Sequence, residues 1–180
     1  MKYLLALLAL SLSGCADARP APVEQYTYRI ILPSGALCSA TAVAKDVILT
    51  AKHCVEGDEK TLTIAGQTVP IGQMAEDGLD HVLIQVGVTF KTWASRGPTP
   101  KPGDAVRIYG NADGYEQIYR TGYVMGWAGY QLLMDMNCGL GDSGAGIFND
   151  AGQLVGVVSA VHVGRAYNKF CIAYQLGVLG

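Results

Sequence analysis

Short runs of hydrophobic and β-branched residues, broken by turn residues, fill most of the chain from Tyr26 onward. Runs of this kind, bounded by Gly, Pro, Asn or Asp, are typical of β-strands. No segment shows the sustained apolar spacing of an amphipathic helix. The pattern predicts strands over 26–32, 38–44, 47–51, 61–66, 67–72, 81–88, 105–110, 116–127, 130–136, 145–149, 154–161 and 169–179. The strands 61–66 and 67–72 are expected to pair as a hairpin.

Many short strands without intervening helices predict an all-β barrel or sandwich. The segment SRGPTPKPGD, residues 95–104, holds three prolines and two glycines and is the best internal boundary. It divides the strands into two halves of about equal size. At 180 residues, half of them hydrophobic, the chain is long enough for one substantial core or two smaller fused cores.

The N-terminus has the features of an export signal. Lys2 precedes the apolar run YLLALLALSLSG, which has the length of a signal h-region and falls short of the roughly 20 residues that span a bilayer. The run ends in Leu-Ser-Gly-Cys15, which resembles a bacterial lipobox; that resemblance implies signal residues 1–14, a lipidated Cys15 and a tether over 15–25. The alternative is cleavage after Ala16-Asp17-Ala18, which would release a soluble protein beginning at Arg19.

Charge and cysteine usage narrow the function classes. A net charge of −2 with 16% charged residues gives no basic surface for nucleic acid. Apart from Cys15, four cysteines remain: Cys38, Cys54, Cys138 and Cys171. An even number suits disulfides in an oxidising compartment, and three ways of pairing these four are open. None form a C-x-x-C pair, which argues against zinc. We expect no metal and no cofactor.

The stretch GLGDSGAGIF places one hydroxyl, Ser143, among small residues. A serine hydroxyl is a weak nucleophile that needs a neighbouring base. His53 suits that role, because it stands where the apolar run of VILTAKHC stops. We expect His81 to be a strand-surface residue and His162 to line or rim a pocket.

An acid must orient the base and stabilise its charged form. Asp80, which opens the strand HVLIQV, is the candidate for this position. Asp77, in the turn EDG, is its rival.

TAKHC, DHVLI and GDSG occur in the order His, Asp, Ser, and each resembles a motif of the trypsin- and chymotrypsin-like serine proteases. The resemblance covers 26–180 and is closest to compact bacterial members. It implies two six-stranded antiparallel β-barrels, at 26–95 and 104–180 with a linker at 96–103, and an active site in the cleft between them. It also implies a monomeric endopeptidase that cleaves proteins or peptides through an acyl-enzyme, with His53, Asp80 and Ser143 as the triad.

The same resemblance assigns further residues. The backbone N–H groups of Gly141 and Ser143 would bind the oxyanion, and Asp142 would be buried behind the loop. The chain lacks the Ile-Val-Gly-Gly start of zymogen-activated members, so we expect Asp142 to have an internal partner. Two disulfides are implied, Cys38–Cys54 beside the base and Cys138–Cys171. Asp135, Met136 and Asn137 would form the floor of the substrate pocket. Its wall would consist of Ser159, Ala160 and Val161.

Two departures from the family pattern lie in the nucleophile region. Leu140 adds one residue between Cys138 and Ser143 relative to the family, and Ala145-Gly146 replaces the usual Gly-Pro. An α/β-hydrolase esterase would need G-x-S-x-G, which Ala145 breaks. The remaining alternative is a catalytically silent, protease-like binding module of the cell envelope.

With Ala16 after the lipobox, a Gram-negative host would place the chain on the periplasmic face of the outer membrane.

Overall fold

A computed structural model describes residues 22–57, 59–163 and 169–176. The predicted signal peptide, the lipidated Cys15, most of the tether and the alternative site at Ala16-Asp17-Ala18 lie outside the described residues. The strands are β1 (Thr27–Ile31), β2 (Leu37–Ala44), β3 (Val47–Ala51), β4 (Thr61–Ile64), β5 (Gln67–Glu76), β6 (His81–Val86), β7 (Ala105–Gly110), β8 (Ile118–Ala128), β9 (Gln131–Asp135), β10 (Gly146–Phe148), β11 (Leu154–Val163) and β12 (Lys169–Gln175). Single-turn 3-10 helices cover Glu24–Tyr26, Lys52–Val55 and Ala112–Gly114.

The strands form two closed, six-stranded antiparallel barrels, which confirms the predicted fold class. The first has the order β1-β2-β3-β6-β5-β4 and the second the order β10-β11-β12-β9-β8-β7. Closure leaves neither sheet with an open edge. Within the described residues, no helix combines the length and apolarity needed to cross a bilayer.

The predicted hairpin is present as β4 and β5. Ala65 and Gly66 form its two-residue turn with φ of 50° and 74°, the left-handed values that a type I′ connection requires. Strand β5 runs on to Glu76, beyond the predicted end, through a register shift between Ile71 and Met74. This bulge lets β5 continue beside β6 up to the segment that carries Asp80.

Each barrel has its own apolar core, and a third cluster joins them. Val23, Leu49, Phe148 and Leu176 are all buried in this third cluster, with Phe148 fully inaccessible. Burial of side chains of this size contributes about 1.5–3 kcal/mol each. The cluster therefore holds the two barrels, and the residues at their interface, in one arrangement.

Candidate active site

His53 and Asp80 are brought together by the pairing of β3 with β6. Ala51, the last residue of β3, is opposite the first residue of β6, so the residues just beyond each strand end are neighbours. The chain after β3 turns into the 3-10 helix that carries His53. The backbone N–H of Lys52 donates to the carbonyl of Asp80 over 3.1 Å, and that of His53 donates to Asp80 Oδ1 over 3.0 Å.

Ser143 completes a continuous chain of side-chain contacts. His53 Nδ1 lies 2.8 Å from Asp80 Oδ2, and His53 Nε2 lies 2.9 Å from Ser143 Oγ. Because an ionised carboxylate only accepts, Nδ1 carries the proton and Nε2 is left to accept from the serine hydroxyl. His53 is part-exposed at 41% of its side chain, while Asp80 is more enclosed at 18%. The base is thus reachable from solvent and its orienting acid is shielded.

The ionisation of the two groups follows from their contacts. The hydrogen bond to Asp80 raises the pKa of His53 above its ordinary 6.5, and this effect outweighs partial burial. Burial by itself would raise the pKa of Asp80, but hydrogen bonds from His53 and Ser159 outweigh it, so the pKa lies below its ordinary 3.8. Near neutral pH the acid is ionised and the imidazole can exist in its neutral, accepting form.

Ser159 has a contact that the sequence did not reveal. Its hydroxyl donates to Asp80 Oδ2, from strand β11 of the second barrel. Its predicted place was the wall of the substrate pocket, and no local sequence signal points to Asp80. The acid of the first barrel is therefore oriented partly by the second.

The loop that carries Ser143 is shaped by close approach of its glycines to the backbone. Gly141 and Gly144 have φ of 95° and 88°, and a side chain on either would run into the carbonyl of Asn111 or of Ser39. The amide N–H groups of Gly141 and Ser143 pair with no acceptor in the part of the chain that the structure describes. Both therefore remain able to donate to a ligand.

Asp142 is fully buried and has an internal partner. Its Oδ1 lies 2.5 Å from Arg120 Nη2, and its Oδ2 accepts from the backbone N–H of Gly139 over 2.8 Å. Arg120 comes from β8 and also donates to the carbonyl of Asn137 over 3.2 Å. Nothing in the sequence singled out Arg120 for this role.

The expectation that His81 is a strand-surface residue is wrong. His81 is fully buried, and its Nδ1 lies 2.6 Å from Asp77 Oδ2. Asp77, the rival of Asp80, thus has its own histidine, and its Oδ1 also accepts from the N–H of Leu79 over 2.9 Å. The ring of His81 packs edge-on against Tyr174 of the second barrel, 6.4 Å between centroids. Strand β6 begins at His81, and Tyr174 of the second barrel covers this side of it, so His81 is not on the surface.

The residues assigned to the substrate pocket differ in exposure. Met136 is buried in the core of the second barrel, whereas Asp135 and Asn137 on either side of it are exposed. Ala160 is exposed and Val161 is half-buried on β11. His162 is exposed and its ring stacks on Phe170 at 4.6 Å. Their roles in binding stay predictions.

The structure contains both implied disulfides. Cys38 and Cys54 are joined with 6.3 Å between Cα atoms, and Cys138 and Cys171 with 5.4 Å. The first ties β2 to the helix that carries His53. The second ties the nucleophile loop to β12. Among residues 22–57, 59–163 and 169–176, no group of three or more potential metal ligands comes together.

Two packed β-barrels with a Ser-His-Asp arrangement between them define a chymotrypsin-like fold. Residues 34–157, more than half of the chain, match the family model of the trypsin-like peptidase domain. The chain therefore belongs to the trypsin-like peptidase family. No curated protein matches the sequence significantly.

Solved structures of proteases have a similar fold. A serine endoprotease from Yersinia pestis superposes with a TM-score of 0.71 and 21% identity, covering 85% of this chain and 59% of that one. The Rv3671c protease from M. tuberculosis gives 0.69 and 15% in its active form, covering 85% of this chain and 77% of that one. Its inactive form gives 0.70 and 16%, with coverage of 85% and 84%. At such identities the likeness concerns the fold.

Proposed function

We propose that the chain is a serine endopeptidase that hydrolyses peptide bonds through an acyl-enzyme, with Ser143 as nucleophile. The observation that carries the proposal is the unbroken series from Asp80 through His53 to Ser143, with contacts of 2.8 Å and 2.9 Å. In this series the neutral imidazole removes the serine proton as Oγ attacks the substrate carbonyl. The carboxylate holds the tautomer and stabilises the imidazolium that forms.

The nucleophile loop supplies the second part of the mechanism. Negative charge develops on the carbonyl oxygen as the tetrahedral intermediate forms, and fixed donors stabilise it more than they stabilise the substrate. The N–H groups of Gly141 and Ser143 are the donors, because neither is paired with an acceptor within the described residues. His53 then gives its proton to the leaving amine, and water repeats the sequence to release the acid and restore Ser143.

An active-site fluorophosphonate tests the assignment directly. We expect it to label Ser143 in the folded protein, and Ser143→Ala and His53→Ala each to abolish labelling and peptide hydrolysis. Because the two residues act as a unit, the double variant should lose little more than either single one. Ser95→Ala, a change of an exposed serine outside the cleft, is the matched control and should label normally.

The opposite result has a defined meaning. If folded wild-type protein neither labels nor cleaves any peptide in a broad library, the chain is the silent binding module and the endopeptidase proposal fails. Labelling that persists in Ser143→Ala would show that another nucleophile reacts.

A further inference from the structure

Three carbonyl groups of the nucleophile loop are each held by a donor outside the loop. The carbonyl of Leu140 accepts from the backbone N–H of Asp113 over 2.7 Å. That of Gly141 accepts from Ser39 Oγ over 2.8 Å, and that of Ser143 accepts from the N–H of Ser39 over 2.7 Å. Two segments outside the loop, one in each barrel, therefore set its peptide orientations.

The contact from Asp113 fixes the proposed oxyanion donor. The carbonyl of Leu140 and the N–H of Gly141 belong to one peptide group, and in a trans peptide they point in opposite directions. The described residues contain no cis peptide bond. With the carbonyl bound to Asp113, the N–H of Gly141 must point away from Asp113, and it pairs with no acceptor among the described residues.

Asn111 sets the conformation of the segment that contains Asp113. Its Oδ1 accepts from the N–H of Gln117 over 3.2 Å, and its carbonyl accepts from the N–H of Gly114 over 3.3 Å. Between these contacts Asp113 has a left-handed φ of 52°, which a non-glycine residue adopts only where its surroundings enforce it. The side chain of Asn111 thus closes the short loop that presents the N–H of Asp113.

The same side chain also acts on Ser39. Asn111 Nδ2 donates to Ser39 Oγ over 2.7 Å, and both residues are fully buried. Gln117 offers an N–H, so the carbonyl end of the Asn111 amide must face it and the amino end must face Ser39. Ser39 Oγ therefore accepts from Asn111 and has its own hydrogen left for the carbonyl of Gly141.

We propose that Asn111 is a positioning residue for the oxyanion hole, orienting the two peptide groups that flank Gly141: the preceding one through Asp113 and the following one through the hydroxyl of Ser39. The role rests on the proposed peptidase function, in which the N–H of Gly141 stabilises the developing oxyanion. Asn111 itself touches no reacting atom. Its removal should act on the transition state and leave ground-state binding of the peptide largely unchanged.

Asn111→Asp is the sharpest test, because it keeps the acceptor for Gln117 but replaces the donor to Ser39 by a carboxylate oxygen, which competes with the carbonyl of Gly141 for the hydroxyl hydrogen of Ser39. We expect kcat for a peptide substrate chosen from library cleavage to fall about 10²-fold, the lower range for loss of an oxyanion donor, with KM little changed. Asn149→Asp is the matched control. Its side chain also bonds within a tight turn, to Gln153 at 2.9 Å and 3.1 Å, but lies outside the nucleophile loop, and it should keep wild-type kcat.

A second variant guards against a failure to fold. Ser39→Ala keeps Asn111 but removes the hydroxyl that reaches Gly141, and it should lower kcat in the same way. If both act along one chain of contacts, the double variant should lose little more than the stronger single variant. Equal kcat in wild type, Asn111→Asp and Ser39→Ala would overturn the proposal.

Amide hydrogen exchange separates this proposal from the peptidase assignment. Asn111→Ala removes the acceptor for Gln117 as well as the donor to Ser39, so in this variant the amide of Asp113, bound to Leu140 in the wild type, should exchange about tenfold faster, the factor that one lost buried hydrogen bond implies. If wild type hydrolyses no peptide, the peptidase assignment fails, and this exchange rate still decides whether Asn111 orders the loop. An Asp113 amide as protected in Asn111→Ala as in Asn149→Ala would refute the positioning role.

Discussion

Replacing Arg120 by Met tests whether the nucleophile loop depends on an internal cation. Arg120 is the side-chain partner of Asp142, whose carboxylate is fully buried directly before Ser143. Met keeps most of the apolar stem of Arg and removes the charge. The variant therefore leaves an uncompensated buried carboxylate, held only by the N–H of Gly139 among the described contacts.

The size of the effect follows from burial. Removing one partner of a buried ion pair costs about 3–5 kcal/mol, and the lower value suits this pair because the Arg120 side chain is 18% exposed. For a domain of this size, 3 kcal/mol corresponds to a fall in Tm of about 6–12 °C. Peptidase activity should fall as well, since Asp142 lies between the two proposed oxyanion donors.

Urea unfolding and peptide hydrolysis measure the two effects separately. Arg29→Met is the matched control: Arg29 pairs with Glu116 at the surface, with exposures of 33% and 61%, and its loss should cost no more than about 1 kcal/mol. The double variant Arg120→Met/Asp142→Leu removes both charges and should recover stability relative to Arg120→Met. Equal stability of Arg120→Met and Arg29→Met would refute this reasoning.

Because Asp142 has the internal partner Arg120, a chain that begins at Val23 and carries a blocking N-terminal tag should remain active. Activity that depends on a free N-terminus would contradict this role of Arg120.

Three further changes test other parts of the structure. Because neutral His53 is the base and its pKa is raised, kcat/KM should fall at low pH with a midpoint above pH 6.5. Asp80→Asn removes the hydrogen bond to a carboxylate that raises this pKa, so it should move the midpoint to lower pH and lower kcat about 10⁴-fold. The joint Cys38→Ala/Cys54→Ala change opens a loop of sequence separation 16 and should lower the free energy of unfolding by about 3 kcal/mol in urea titrations. We also propose that Cys15 anchors the protein to the membrane, so Cys15→Ser should yield soluble protein with unchanged peptide kinetics; a wild-type mature chain that begins unmodified at Arg19 in mass spectrometry would contradict the anchor.

The strand pattern could be predicted because it depends on local signals, and the double barrel because short motifs resemble those of a known family. The turn at Ala65-Gly66 and the alternation of β4 and β5 specify a hairpin without reference to the rest of the chain. The residues around His53 and Ser143 form short motifs with a known order. Turn residues and short motifs can both be recognised in a single sequence.

The contacts that cross between the barrels could not be predicted. Ser159 lies 79 residues after Asp80 and in the other barrel, and even within the second barrel Arg120 lies 22 residues before Asp142. Neither spacing has a pattern that sequence periodicity can detect. The burial of His81 was likewise not predictable from the sequence. This histidine was expected on the strand surface, but the second barrel covers it, and only the tertiary arrangement reveals that.

These cross-barrel contacts make the proposed active site a property of the interface. Ser39 and Asp80 belong to the first barrel, yet Ser39 holds the nucleophile loop of the second, and Asp80 is oriented by Ser159 of the second. A disturbance that separates the barrels slightly would therefore misalign the base and the oxyanion donors together. Phe148 is fully buried in the joining cluster, and its packing is one source of their alignment. Catalytic geometry should consequently be lost before either barrel unfolds.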